Sequence, residues 1–283
     1  MKPVWLRAWV ILLAWMAACT SHERGADLNA SRQHYRLGIE FAQYQLYQNS
    51  LEEFDLAIKT NPANIEAYNK KGLVLFGLRR YDEAQDLFEE VLRRQPGHLQ
   101  AHINLGIVHY SKGDTDRAKE IWEKAIALSP EDNDSKAYNN LANLYKQQNR
   151  LDEAIRHYQA ALRQEPDNPL YLNNLADIFR LQGRFEEAEA LLEKSLKIQP
   201  RGMTTHFHLG LVYRDQQRWK EALQAFRQSI QVNPYQSESY YRLAEVQLQV
   251  DDKNAARQSL QQALKMNPEN SEYQALLETL QAS

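Results

Sequence analysis

The sequence predicts an all-α fold built from repeated helical hairpins, on the basis of three observations. Seven prolines recur at a spacing of 34 residues, with a single interval of 36. They are Pro62, Pro96, Pro130, Pro166, Pro200, Pro234 and Pro268. Within each 34-residue unit, positions 8 and 20 always carry Gly, Ala or Ser, and position 24 always carries a large side chain. A fixed period of this length, with small and large residues at fixed positions, is typical of stacked helical hairpins.

The period divides most of the chain into seven units, each predicted to form two antiparallel helices. They cover residues 31–64, 65–98, 99–132, 135–168, 169–202, 203–236 and 237–270. One hairpin is too small to bury its own apolar face, so stacking of neighbouring units must supply the core. Residues 271–283 predict a last helix whose apolar side covers the end of the stack. That side carries Tyr273, Leu276, Leu277 and Leu280. Two extra residues, Asn133 and Asp134, predict a longer loop between the third and fourth units.

This pattern, with Pro at position 32 of each unit, resembles the tetratricopeptide repeat (TPR) family over residues 31–270. The resemblance implies a right-handed superhelix of paired helices, an α-solenoid in which the first helix of each pair lines a concave groove. It also implies a protein-interaction scaffold rather than an enzyme.

The N-terminal 18 residues have the features of a signal peptide. Lys2 and Arg7 precede or flank a short apolar run over residues 8–18, which as a helix would reach about 16 Å and is too short to span a bilayer. The segment Met16-Ala17-Ala18-Cys19 resembles the lipobox of bacterial lipoproteins. The resemblance implies removal of residues 1–18, lipidation of the Cys19 thiol and acylation of the new amino end, for example by palmitate. An ordinary signal peptide is the alternative.

Cys19 is the only cysteine in the sequence, so it has no partner for an internal disulfide, which favours lipidation. Thr20 follows it, and in the lipoprotein family a residue other than Asp there implies the outer membrane of a Gram-negative host. Residues 19–30 are polar and show no helical period, which predicts a flexible tether behind the lipidated cysteine. We therefore expect a lipid-anchored envelope protein that faces the periplasm.

Composition and motifs argue against several classes of function. With 34 Lys and Arg against 37 Asp and Glu, the net charge is −3, which does not suit a nucleic-acid-binding protein. The sequence contains no phosphate-binding loop, no GxSxG and no HExxH motif, and its eight histidines are scattered. We therefore expect no enzyme activity, no cofactor and no metal. An enzyme or enzyme subunit is the alternative from another class.

Three consecutive units place asparagine at position 6 of the first helix: Asn104, Asn140 and Asn174. An asparagine amide both donates and accepts hydrogen bonds, so a row of them can pair with the backbone of an extended peptide. The row is similar to the asparagine rows with which some TPR proteins hold peptides. The other interpretation is that asparagine is simply a common residue at this position of the family.

Charged residues are predicted to share the groove with this row. Asn143 and the cations Lys136, Lys146, Arg180 and Arg214 fall on the same helix face, together with Asp177 and Asp215. This set predicts a mild preference for an acidic segment or a carboxylate terminus. Nearer the N-terminus the face is apolar, which predicts either a second docking patch or burial between repeats. The apolar residues are Tyr35, Ile39, Leu73, Phe76, Ile103, Ile107 and Tyr110.

A lipid anchor followed by a TPR array resembles the layout of the pilotin-type lipoproteins of type IV pilus systems. This resemblance implies binding of a secretin-like subunit in the envelope. An adaptor lipoprotein for peptidoglycan enzymes has the same layout and is the first alternative.

Overall fold

The computed structural model describes residues 27–128 and 135–282, and these residues form 15 α-helices and no strand. Helix α1 covers residues 27–43. The others are α2 (Tyr47–Thr60), α3 (Ile65–Gly77), α4 (Tyr81–Arg94), α5 (Leu99–Ser111), α6 (Thr115–Leu128), α7 (Ser135–Gln147), α8 (Leu151–Gln164), α9 (Pro169–Leu181), α10 (Phe185–Ile198), α11 (Met203–Asp215), α12 (Trp219–Val232), α13 (Ser237–Gln249), α14 (Lys253–Met266) and α15 (Ser271–Ala282). The all-α hairpin fold is thus as the sequence predicts.

The chain divides into two compact units, Met1–Asn133 and Asp134–Ser283. In the N-terminal unit, α1 to α6 form three hairpins. In the C-terminal unit, α7 to α14 form four hairpins, and α15 packs on α14. The predicted loop at Asn133 and Asp134 lies outside the described residues.

The small and large positions of the repeat meet inside each hairpin. Every residue at position 20 is completely buried, and every residue at position 24 is at most 2% exposed. A Cβ atom added to Gly106, at position 8, would come within 2.3 Å of the Trp122 ring at position 24. In the first unit, where position 20 is serine, the Ser50 hydroxyl donates to the Gly38 carbonyl at 2.7 Å. The small residues are therefore required because a buried side chain of the partner helix occupies the space beside them.

Each hairpin turns through a residue in the left-handed region at position 15. Two of these residues are Gly113 and Gly183, with φ of 88° and 73°. The other five, with φ between 58° and 61°, are Gln45, Arg79, Asn149, Gln217 and Asp251. In every turn the N–H of the next residue donates to the carbonyl five residues earlier, as from Arg184 to Phe179 at 2.8 Å. This closing bond satisfies a carbonyl at the end of the first helix.

The C-terminal helix α15 covers the last hairpin, as the sequence predicts. Tyr273 and Leu280 are buried, and Leu276 and Leu277 pack against the same cluster. The Tyr273 ring stacks on Tyr241 with a centroid distance of 4.7 Å, and its hydroxyl donates to Glu238 Oε2 at 2.8 Å.

Helix α1 begins earlier than the sequence pattern suggests. Residues 27–30, assigned above to the flexible tether, are helical. Ser31, which follows them, is buried, and its hydroxyl donates to the Ala57 carbonyl at 2.8 Å. The first hairpin therefore holds this part of the chain in place. The signal peptide and Cys19 lie outside the described residues.

Candidate binding surface of the C-terminal unit

The first helices of the four hairpins in the C-terminal unit are α7, α9, α11 and α13. Their residues at positions 2, 5, 6, 9, 12 and 13 lie on one side of each helix, because these positions repeat at helical spacing. Side-chain bonds join α7 to α9, α9 to α11 and α11 to α13 across this side. We call it the first-helix face.

A chain of ion pairs crosses the first-helix face from α7 to α13. Lys146 pairs with Asp177, and Arg180 pairs with both Asp177 (2.9 Å) and Asp215 (2.6 Å). The chain continues through Arg214, which pairs with Asp215 at 2.8 Å and with Glu245 at 3.3 Å.

The last ion pairs of this series lie on α13. Arg242 pairs with Glu245 at 2.9 Å and with Glu238 at 2.7 Å. We call the eight residues the ion-pair ladder. Its members are Lys146, Asp177, Arg180, Asp215, Arg214, Glu245, Arg242 and Glu238.

Asp177 is the most deeply buried acid of the ladder, with 8% of its side chain exposed. Burial alone would raise the pKa of Asp177. The neighbouring His208 and Lys146 outweigh burial and lower the pKa well below its usual range. Burial also disfavours the charged form of Arg180 and so would lower its pKa. The neighbouring Asp177 and Asp215 have the larger effect, and the pKa of Arg180 is raised. Both side chains therefore keep their charges at neutral pH, and each stabilises the other.

The ladder changes the interpretation of the predicted cations. Lys146, Arg180 and Arg214 are on the first-helix face as expected, but each is already paired with a carboxylate of the same face. Lys136 is exposed. Hydrogen bonds from Ser135 and Asn168 lower the pKa of Glu165, and the charge of Lys136 lowers this pKa by a smaller amount. At Lys146, Arg180 and Arg214 the geometry therefore does not support the predicted preference for an acidic segment, because these three cations already pair with carboxylates of the protein itself.

Two of the three predicted asparagines lie half-buried on the first-helix face. Asn174 Nδ2 donates to Asn139 Oδ1 of the preceding hairpin at 2.9 Å. Asn140 is half-buried and makes no side-chain hydrogen bond among the described residues. Asn143 is also half-buried, and its Oδ1 accepts a hydrogen bond from the Tyr158 hydroxyl. The face thus presents Asn140, the Asn174 carbonyl oxygen and the Asn143 amino group.

The third asparagine, Asn104, belongs to the N-terminal unit and is 3% exposed. Its Nδ2 donates to Asn69 Oδ1 at 3.0 Å, and its Oδ1 accepts from Gln100 Nε2 at 2.9 Å. Its amide is therefore used inside the protein, and the expectation that it contacts a peptide is corrected here.

Both inter-hairpin bonds join position 6 to position 5 of the preceding unit, 35 residues earlier. Sequence reasoning missed Asn69 and Asn139 as the partners. The recurrence of asparagine at position 5, one repeat before asparagine at position 6, was the signal that could have identified them.

The same two positions in the next repeat carry Asn173 and His208, and here the bond is missing. Asn173 Nδ2 donates to Thr205 Oγ1 at 3.0 Å. Asn173 Oδ1 and His208 Nδ1 are both buried without a hydrogen-bond partner in the part of the chain that the structure describes. His208 Nδ1 lies 3.6 Å from Asp177 Oδ1.

The apolar residues predicted in the N-terminal unit are divided between core and surface. Ile103 is buried, whereas Ile39, Leu73, Phe76 and Ile107 are half-buried. Tyr35 and Tyr110 are half-buried too. Ile39 and Leu73 line an open, mostly apolar cleft together with Val74 and Lys70. Burial thus explains Ile103, while the second docking patch stays a prediction for the cleft.

Within residues 27–128 and 135–282, no group of three or more His, Cys, Asp or Glu side chains is arranged to hold a metal ion. None of the described helices combines the length and the apolar character that crossing a membrane requires.

Comparison with known proteins identifies the family of the chain. A family model described as the cilia and flagella-associated protein 70 C-terminal domain, a TPR domain, matches residues 10–233 and 66–282. The chain belongs to this TPR family. No curated protein matches the sequence.

Solved structures with the same fold include the proteins PilF and PilW. Pseudomonas aeruginosa PilF is 19% identical, with a TM-score of 0.64, over 76% of this TPR protein and 97% of PilF. PilW, a widely conserved type IV pilus biogenesis factor, is 20% identical, with a TM-score of 0.68, over 76% of this chain and 99% of PilW.

A chain of the APC/C hetero-tetramer Cut9–Hcn1 is 16% identical, with a TM-score of 0.72, over 92% of this chain. This TPR protein spans about half of that chain, 48% of its length. At these identities the likenesses show the fold alone. The TPR fold generally serves as a scaffold for protein interactions, through the extended surface that its stacked repeats create.

Proposed function

We propose that this TPR protein is a lipid-anchored, non-catalytic scaffold of the bacterial envelope. Its first-helix face in the C-terminal unit binds an extended segment of a partner protein. The observation that carries the proposal is the position of Asn140, which lies half-buried on a continuous side of four helices with its amide unpaired among the described residues. Neither polar atom of this amide is among the buried, unpaired side-chain atoms of the described residues, so water can reach it, and a bound peptide backbone can replace that water with hydrogen bonds of its own.

Neighbouring polar groups support the same surface. The Asn174 amino group is bonded to Asn139, which leaves the Asn174 carbonyl oxygen to accept a hydrogen bond from a partner. The Asn143 carbonyl oxygen is bonded to Tyr158, which leaves the Asn143 amino group to donate one. Side chains held in place in this way lose less entropy on binding than free ones. We therefore assign partner binding to Asn140, Asn143 and Asn174. Lys146, Arg180 and Arg214 lie on the same face within the ion-pair ladder, and Lys136 lies at the start of α7.

Anchoring is proposed from the sequence around Cys19. The similarity of the fold to PilW, a type IV pilus biogenesis factor, supports a role in type IV pilus biogenesis. Within that role we propose a secretin-like subunit as the partner. Several acyl chains on one residue would give stable membrane attachment, whereas one chain gives only reversible binding.

The anchor is tested by Cys19→Ala in the full chain. We expect the variant to leave the membrane fraction or to retain residues 1–18, as judged by fractionation and intact mass. Unchanged processing and fractionation would contradict the lipid anchor.

Partner binding is tested by the double variant Asn140→Ala and Asn174→Ala, with Gln159→Ala as the matched control. Gln159 is exposed on α8, the second helix of the same hairpin as Asn140. Wild-type protein and both variants are purified with detergent from envelopes, and the co-purified proteins are quantified. We expect the double variant alone to lose its partner, by about tenfold for two hydrogen bonds of about 0.7 kcal/mol each. Recovery of a secretin would support the pilus role, and recovery of murein hydrolases would replace it with the adaptor role.

A further inference from the structure

The ion-pair ladder is itself electrically balanced. It contains four cations and four carboxylates, and most of its members contact two partners of opposite sign. A carboxylate of a bound segment could reach Arg180 or Arg214 only by displacing Asp177, Asp215 or Glu245. Displacement removes one of the two cations that stabilise a buried or half-buried carboxylate of the protein, and this loss offsets the gain from the new pair.

Cations on a bound segment meet the same obstacle. Asp177 contacts both Lys146 and Arg180, and Glu245 contacts both Arg214 and Arg242. A lysine or arginine of the partner would therefore approach a carboxylate that already lies between two cations. The ladder thus works against charged side chains of either sign.

Apart from Lys136 at the start of α7, the polar groups that the face offers outside the ladder are uncharged. They are the Asn140 amide, which donates and accepts hydrogen bonds, the Asn174 carbonyl oxygen, which accepts, and the Asn143 amino group, which donates. A peptide bond has the complementary donor and acceptor whatever its side chain. Four first helices at about 8–10 Å spacing present a surface about 30 Å long, which about nine extended residues would cover.

We infer that the partner segment is an uncharged, extended stretch of about nine residues that is held through its backbone. The inference rests on the proposed binding function and names the chemistry of its ligand. It also assigns the ladder a role in specificity: Asp177, Asp215, Glu245 and Glu238 prevent the arginines from recruiting acidic segments.

The test is a selection from random peptides of about 12 residues displayed on phage, long enough to cover the face. The bait is the full chain in detergent, in parallel with the double variant Asn140→Ala and Asn174→Ala. A third bait is Glu245→Gln, which removes one of the two carboxylates that pair with Arg214 and one of the two that pair with Arg242. The Glu245 side chain is 29% exposed, and the fold of this variant is checked by circular dichroism. The readout is the charge composition of the peptides enriched by each bait.

We expect the wild-type chain to enrich peptides depleted in Asp, Glu, Lys and Arg. Their affinity should change less than about threefold between about 50 and 500 mM salt, since screening weakens only charge-dependent binding. Glu245→Gln should shift enrichment towards Asp and Glu.

Enrichment of acidic or basic peptides by the wild-type chain, with loss on the double variant, would overturn this inference while the binding function stands. Equal enrichment by the wild-type chain and the double variant would overturn the proposed binding face itself.

Discussion

The substitution Gly210→Ala tests the packing rule on which the repeat depends. Gly210 is at position 8 of α11, and an added Cβ atom would lie 2.5 Å from Cε1 and 2.6 Å from Cδ1 of Phe226. Phe226 is completely buried, so its ring has no open space into which to move. These distances are about 1 Å short of carbon–carbon contact.

Two effects of opposite sign decide the stability of this variant. Overpacking a buried site costs about 1–3 kcal/mol, and two overlapping ring carbons place Gly210→Ala near the upper value. Alanine in a helix interior gains about 1 kcal/mol over glycine. We therefore expect a net loss of about 2 kcal/mol in the free energy of unfolding.

The assay is urea unfolding followed by circular dichroism, together with hydrogen exchange of α11 and α12 because repeat arrays can open locally. Gly77→Ala is the matched control: nothing lies within 4 Å of its added Cβ atom, so this variant should gain up to about 1 kcal/mol.

Two repeats combine Ala at position 8 with Leu at position 24, as in Ala176 and Leu192. Phe226→Leu should therefore restore stability to Gly210→Ala. Full stability of Gly210→Ala alone, or no rescue by Phe226→Leu, would refute the reasoning.

The remaining predictions concern buried polar groups and the C-terminal helix. Asn104→Ala should lower the free energy of unfolding by about 1–3 kcal/mol, because it leaves a buried amide unpaired, whereas Asn140→Ala should not change it; equal losses would contradict the assignment. The pKa of Asp177 is lower in the folded than in the unfolded chain, so its ion pairs stabilise the fold at neutral pH, and this stabilisation is lost as the pH falls below about 4. Asp177→Asn should therefore flatten the pH dependence of the urea midpoint below about pH 4, and an unchanged slope would be evidence against this. Tyr273→Ala should cost about 3–5 kcal/mol, measured by thermal unfolding against Tyr235→Ala, whose side chain is 84% exposed and should not matter.

Much of the fold could be predicted from the sequence because the same steric pairing of a small and a large residue recurs in every repeat. Each small residue at position 8 faces a large residue at position 24, and both are local to one hairpin. The helical state of residues 27–30 could not be predicted in this way. Residues 27–30 carry no periodic apolar pattern of their own, and the Ser31 bond to Ala57 that follows them depends on tertiary contact.

The candidate site was only partly predictable, because it depends on contacts between hairpins. The sequence placed Lys146 and Arg180 on the correct face but did not show that their charges are neutralised there. A signal existed in the spacing: an acid lies 31 residues after Lys146 and after Arg214, at Asp177 and Glu245. No comparable spacing in the sequence indicates that Asn104 is buried, because its burial depends on how closely Asn69 and Gln100 approach its amide.

The central claim is that a partner segment lies on the first-helix face of the C-terminal unit. It is tested most directly by placing a photo-crosslinking residue at Asn140 or, as control, at Gln159, and mapping the crosslinked partner peptide by mass spectrometry. The account predicts one uncharged segment crosslinked from position 140, lost when Asn174→Ala is added, and no crosslink to that segment from position 159. The same segment crosslinked equally from both positions, or from position 159 alone, would contradict it.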